Sequence, residues 1–261
     1  MRRQVLAVGL AISALLGGVA LLGGAENEAS QIEPKADQSL KVMSSYLAGL
    51  KTYSFQVEEL FDDVLDDGQK IQLGNQRHLS VCRPNKLSGE GVGDTKNSQF
   101  YYDGKTASIV DRAHETYATV TVPGTIDAML EDLHERFDTH QTLADFLFAD
   151  PYKVFTENVQ SGTYVGLHYV GKVKCHHLAF RQKLLDWQIW IDAGDQPLPR
   201  KYVITFTSQR NQPQYTAIMH RWDVNPKLSD DLFEFHPPEG FRKVDFLDRH
   251  SEPQPLAKPA G

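Results

Sequence analysis

The chain has 261 residues, of which 41% are hydrophobic and 23% charged, with a formal net charge of −7. That is the composition of a globular protein able to build a core, and it excludes a fibrous or disordered chain. An acidic chain without a basic cluster also excludes the phosphate neutralisation that drives nucleic-acid binding and firm electrostatic docking on an anionic bilayer.

The chain opens with MRRQVLAVGLAISALLGGVALLGGAEN. Two arginines precede an apolar run from Val5 to Leu22, and Gly23 and Ala25 supply small residues before an acidic segment. This is the plan of a secretory signal peptide cut after Ala25, with an uncleaved anchor as the alternative. Loss of Arg2 and Arg3 takes the formal charge from −7 to −9. The mature protein is expected in the periplasm as a soluble monomer without a cofactor. Residues 26–34 read as a polar tether, 35–245 as one domain and 246–261 as a disordered tail.

From Pro34 the period is helical, with Leu40, Met43, Leu47 and Leu50 three and four residues apart. At Thr52 the period becomes two. Tyr53, Phe55 and Val57 share one face, and KIQLGNQRHLSVCR continues the alternation. SQFYYDG, KTASIVD and ETYATVTV follow, with Asp103-Gly104 as a hairpin turn. Residues 52–122 therefore predict an antiparallel meander.

Ile126, Met129, Leu130, Leu133 and Phe137 then form the stripe of a helix starting near Thr125. TLAD at 142–145 has the form of a capping box, with Thr142 as the cap and Asp145 three residues on. A short helix is expected over 152–159. Strands return at 163–170, 172–182, 185–193, 200–208 and 214–223, and DLFEFHPPEGF predicts one helical turn and a last edge strand. Helix, strands, helices, strands is an α+β order: a curved antiparallel sheet forming an incomplete β-barrel, covered on its concave face by the inserted helices.

CHHLAFRQ (175–182) invites a metal or thiol reading. On a strand, however, Cys175, His177 and Ala179 point one way while His176, Leu178 and Phe180 point the other. The two histidines cannot share a metal, and the sequence holds no CxxC or HExxH to complete a zinc site. No metal is expected. Cys82 and Cys175, the two cysteines, are either a disulfide joining the two strand runs or two buried thiols. GxSxG and GxGxxG are also missing, so no catalytic residue is assigned and an enzyme is not expected.

What the sequence does supply is apolar surface. Phe55, Val57, Phe100, Tyr102, Leu178, Phe180, Trp190, Ile204 and Phe206 fall on strand segments, with Trp187 and Trp222. Met129, Leu133 and Phe146 fall on the helical insert. These residues either pack sheet on helix or line a cavity for a lipid-like ligand, and both kinds of wall have the same chemistry.

QTLADFLFADPY, CHHLAFRQ, DWQIWID, PLPRKYVITF and FEFHPPEGF resemble blocks of a bacterial family of predicted periplasmic proteins, over roughly residues 35–245. That family is similar in fold to the LolA-like outer-membrane lipoprotein carriers and to periplasmic regulators of envelope-stress sigma factors. The resemblance implies an incomplete barrel with a helical lid and a non-enzymatic role. The expected partner is a lipid or lipoprotein acyl chain held in the concavity; the alternative is an envelope sensor acting through another periplasmic protein. In the carriers an arginine holds the lid closed, and no arginine of this sequence is matched to it.

Overall fold

The computed structural model describes residues 31–137 and 142–246. The expected signal peptide, the first residues of the tether and the tail beyond Phe246 lie outside them. In chain order the elements are β1 (Gln31–Ile32), α1 (Pro34–Gly49), β2 (Thr52–Val64), β3 (Lys70–Cys82), β4 (Lys86–Gly93), β5 (Asn97–Tyr102), β6 (Thr106–Asp111) and β7 (Thr116–Thr121). Then come α2 (Ile126–Phe137), a 3-10 turn (Ala144–Phe146) and α3 (Pro151–Thr156). The second strand run is β8 (Ser161–Val170), β9 (Val173–Arg181), β10 (Asp186–Asp192), β11 (Pro199–Thr205) and β12 (Gln214–Asp223). A second 3-10 turn (Asp230–Leu232) and β13 (Arg242–Lys243) end the described chain.

All thirteen strands belong to one unclosed sheet, ordered β1-β8-β9-β10-β11-β12-β2-β3-β4-β5-β6-β7-β13. Each strand run is an antiparallel meander, and β12 joins them by pairing with β2, Tyr215 opposite Phe61 and Met219 opposite Val57. α1 precedes the first run and α2, the 3-10 turn and α3 lie between the runs in sequence, and together they cover one face in space. Ala36, Leu40, Met43 and Leu47 of α1, Ile126, Met129 and Leu133 of α2, and Phe155 of α3 share one buried cluster with that face. This is the α+β incomplete barrel the periodicity predicts.

The turns follow local chemistry. Gly104 sits at φ +95°, a left-handed conformation that Cβ disfavours, and the Asp103 carboxylate accepts from the Lys105 and Thr106 N–H groups. At α3, Pro151 starts the helix and the Asp150 carboxylate accepts from Lys153 N–H.

Four local expectations are corrected. Gln31 and Ile32, placed in the tether, form β1 and pair in parallel with Ser161 and Gly162. Lys86–Gly93, to which no strand was assigned, is β4, full member of the sheet between β3 and β5. Its KLSGEGVG sequence hides a strand because glycine has low strand preference. The capping box is absent: Leu143 precedes the 3-10 turn with no side-chain cap. Phe246, assigned to the tail, packs its ring 4.9 Å from that of Phe137.

Candidate functional site

The cysteine–histidine strand resolves first. β9 pairs with β10 so that Phe180 faces Trp187, Leu178 faces Ile189 and His177 faces Trp190. Phe180 and Trp187 stack at 4.0 Å on the helix-covered face. Trp190 stacks at 3.9 Å on His177 on the other face, under Lys201. Trp190, a sequence candidate for the inner wall, is therefore an outer-face residue; Trp187, three positions earlier, is the companion of Phe180.

His177 is held at both ring nitrogens, by His168 Nδ1 at 2.8 Å and Gln188 Oε1 at 3.0 Å. His176, on the inner face, bonds the Tyr164 hydroxyl at 2.9 Å. Burial lowers the proton affinity of both imidazoles. Among the described residues, no group of three or more His, Cys, Asp or Glu side chains is arranged to hold a metal.

Cys82 and Cys175 are free thiols. β3 and β9, which carry them, are separated by β2, β12, β11 and β10. At roughly 4.8 Å per strand step this is far beyond disulfide reach along the sheet, so the pairing alternative is overturned. Burial and the Asp192 charge push the Cys175 thiol up to about 11. It is a packing residue rather than a nucleophile.

The functional geometry lies under the helices. A cavity of about 820 Å³ opens between the sheet, α2, the 3-10 turn and α3. Its walls are Leu79, Leu87, Phe100 and Ile109 from β3 to β6, Trp187 and Ile204 from β10 and β11, Leu130 and Leu133 from α2, and Leu143, Leu147 and Phe155 from the helical insert.

The cavity exists because of β4. Its inner face carries Gly89 and Gly91 at alternate positions on the cavity wall, while Gly93, next in the row, is glycine because a Cβ there would lie 2.3 Å from the Gly74 carbonyl oxygen. Gly89 stands between Leu79 and Phe100, and Gly91 between Arg77 and Ser98. Ordinary side chains there would project into the space beneath α2. A Cβ on Gly91 would meet nothing closer than Arg77 Cγ at 3.7 Å, so neither crowding nor a left-handed φ at this position requires glycine. The consequence of glycine here is volume.

Of the sequence candidates, Phe100, Leu133 and Ile204 stand on the cavity wall. Phe55, Val57, Tyr102, Met129, Phe146, Leu178, Phe180 and Phe206 belong to the packed core around it. Phe55 is stacked on Trp222 at 4.2 Å, and the Tyr102 hydroxyl donates to the Pro123 carbonyl at 2.6 Å.

Three residues with functional geometry escaped the sequence reading. Asp145 and Tyr202 put polar atoms on the apolar wall. Burial alone pushes the Asp145 carboxyl up to about 6. The third is Arg83, at the end of β3. Its guanidinium donates to the carbonyls of Leu147 at 2.8 Å and Phe148 at 3.0 Å and lies over the Tyr53 ring. It ties the segment carrying Leu143, Asp145 and Leu147 to the sheet.

An unclosed half-barrel with an internal apolar cavity is the class of protein that fold and site together define. The chain belongs to the family of predicted periplasmic proteins DUF2092, whose model matches residues 36–247. No curated protein matches it. Solved structures similar to it include an uncharacterized conserved protein from Thermus thermophilus, 9% identical, covering 81% of this chain and 99% of that one at a TM-score of 0.47. The lipoprotein LppX of Mycobacterium tuberculosis is 11% identical, covering 76% and 100% at 0.46. LprF of Mycobacterium bovis is 15% identical, covering 75% and 96% at 0.45.

Proposed function

We propose that this protein binds a hydrophobic ligand, an acyl chain or similar lipid-like group, between the sheet and its helical cover, without catalysing a reaction on it. The observation that carries this reading is the cavity floored by glycines. Its 820 Å³ falls within the roughly 300–1,000 Å³ range of pockets that enclose small molecules. Side chains at Gly89 and Gly91 would fill space that a folded core ordinarily fills. Phe100, Leu133 and Ile204 are the sequence candidates assigned to direct ligand contact, with Trp187 and Leu79 added from the geometry. The expected setting is the periplasm, reached through cleavage after Ala25, and N-terminal sequencing of the exported protein tests that step.

Native mass spectrometry of protein purified without detergent tests the binding. The expected result is an added mass that disappears on denaturation and is recovered as lipid in an organic extract. A bare polypeptide mass under gentle conditions contradicts the reading.

One observation favours a second role, contact with another protein. Beyond Gly162, strand β8 pairs only with β9 among the described residues. Val165, Leu167 and Tyr169 are exposed at alternate positions along this edge. Such an edge accepts an added strand, and cross-linking from Tyr169 replaced by a photoreactive residue tests it.

A further inference from the structure

The strongest unexplained feature is the polar pair inside the apolar cavity. Asp145 follows the start of the 3-10 turn and Tyr202 lies on β11, and both line the cavity. Tyr202 is only 3% exposed, and its ring is packed edge-on against Phe146, Phe155 and Trp187. Neither its hydroxyl nor the Asp145 carboxyl has a hydrogen-bond or ionic partner among the described residues. Both groups open onto the same cavity, and the charge on Asp145 is felt at the Tyr202 phenol. The charged pair that β2 and β3 present on the same face, Glu59 with Arg77 at 2.8 Å, already has its own partners, the Tyr215 hydroxyl donating to Glu59 at 2.5 Å.

A half-buried carboxylate facing an apolar space without a partner is costly, and among the described residues no ion pair supplies the missing cation, Lys96 on the same cavity wall forming none with it. The geometry points to the ligand as its source: Asp145 and Tyr202 form a head-group seat for an amphiphile bearing a protonated amine, its apolar tail lying along Leu143, Leu133 and Leu79 toward Phe100. An ammonium group offers three N–H donors, enough for both the carboxylate and the phenol oxygen. It also neutralises the Asp145 charge on the cavity wall. A fatty acid would bring a second negative charge to the same place. This inference rests on the binding role proposed above and adds the class of head group.

The test uses three probes of equal tail length, dodecylamine, dodecan-1-ol and dodecanoate, below their micelle-forming concentrations. Binding is read by tryptophan fluorescence and calorimetry at about pH 8, where a carboxyl poised at about 6 is ionised. The wild-type protein is expected to bind the amine at least about tenfold more tightly than the alcohol, and the carboxylate least tightly. Asp145→Asn should bind amine and alcohol alike while keeping the alcohol affinity. Tyr202→Phe should lose part of the amine preference.

An amine bound no more tightly than the alcohol by wild type, or a preference that survives Asp145→Asn, overturns the head-group assignment and leaves the cavity reading standing. If none of the three binds, or if filling the cavity with Gly91→Leu leaves all three affinities unchanged, the cavity reading fails and the assignment fails with it.

Discussion

The two halves of the sheet have the same antiparallel connectivity and opposite inner faces. Across β9, β10 and β11 the face under the helices is crowded with rings: Phe180 stacked on Trp187, and Trp187 edge-on to Tyr202. Phe146 and Phe155, above, close onto the same group. Across β3, β4 and β5 the corresponding rows read Leu79–Gly89–Phe100 and Arg77–Gly91–Ser98, and the space above the glycines stays open. One half packs ring on ring, with Trp187 and Tyr202 reaching the cavity's border, and the other is the cavity's floor. The difference lies in side-chain volume at a few alternate positions, not in backbone topology.

If that contrast is right, the same kind of substitution has opposite consequences on the two sides. The largest loss is expected from Phe180→Ala. Phe180 is 3% exposed and stacked on Trp187, so its truncation should cost about 3–5 kcal/mol in denaturant unfolding. An effect below about 1 kcal/mol would mean that the ring half is not a packed core.

Next in size is Asp145→Asn, which is expected to stabilise. With its native value raised to about 6 from the ordinary carboxyl value of 3.8, the folded protein holds the proton more tightly than the unfolded chain. Stability therefore falls as pH rises from about 4 through 6, by something on the order of 3 kcal/mol, and stays at the lower level above that. Unfolding curves of the ligand-free protein from about pH 4 to 8 should show this decline, and the asparagine variant should lack it.

A smaller effect is expected at Arg83. Arg83→Met leaves the Leu147 and Phe148 carbonyls without their charged donor. It should cost about 1–3 kcal/mol, with faster amide exchange in residues 143–148 as the local readout. A global loss without faster exchange there would show that the arginine does not restrain this segment. The smallest stability change, within about 1 kcal/mol, belongs to Gly91→Leu, whose Cβ meets only ordinary contacts. Its effect should instead be on ligand content.

The sequence carries the periodicities well, because alternation at Tyr53, Phe55 and Val57 and helical spacing at Leu40, Met43 and Leu47 come directly from burying one face. The two corrected site assignments fail for one reason: each depends on register or strand order, which are long-range quantities. Trp190 pairs with His177 rather than Leu178 because of where β10 aligns on β9. Cys82 and Cys175 belong to strands that β12 and β2 hold apart.

β4 was legible in a different sense. SGEGVG places glycines at alternate positions, and on a strand that pattern leaves one face without side chains. Read as low strand preference it hides the element; read as a face it marks the cavity floor. Asp145 was seen only as the partner of Thr142 in a helix start. Nothing in a single sequence distinguishes a capping carboxylate from one that faces a cavity.

The central claim is that the open half of the sheet is a binding site made by absent side chains. The most direct measurement is the mass of co-purified ligand on Gly91→Leu and wild-type protein, expressed and isolated side by side and compared by native mass spectrometry at matched thermal stability. The account predicts a bound ligand on the wild type and little or none on the variant. Equal ligand occupancy in the two proteins, or an empty wild type, would contradict it.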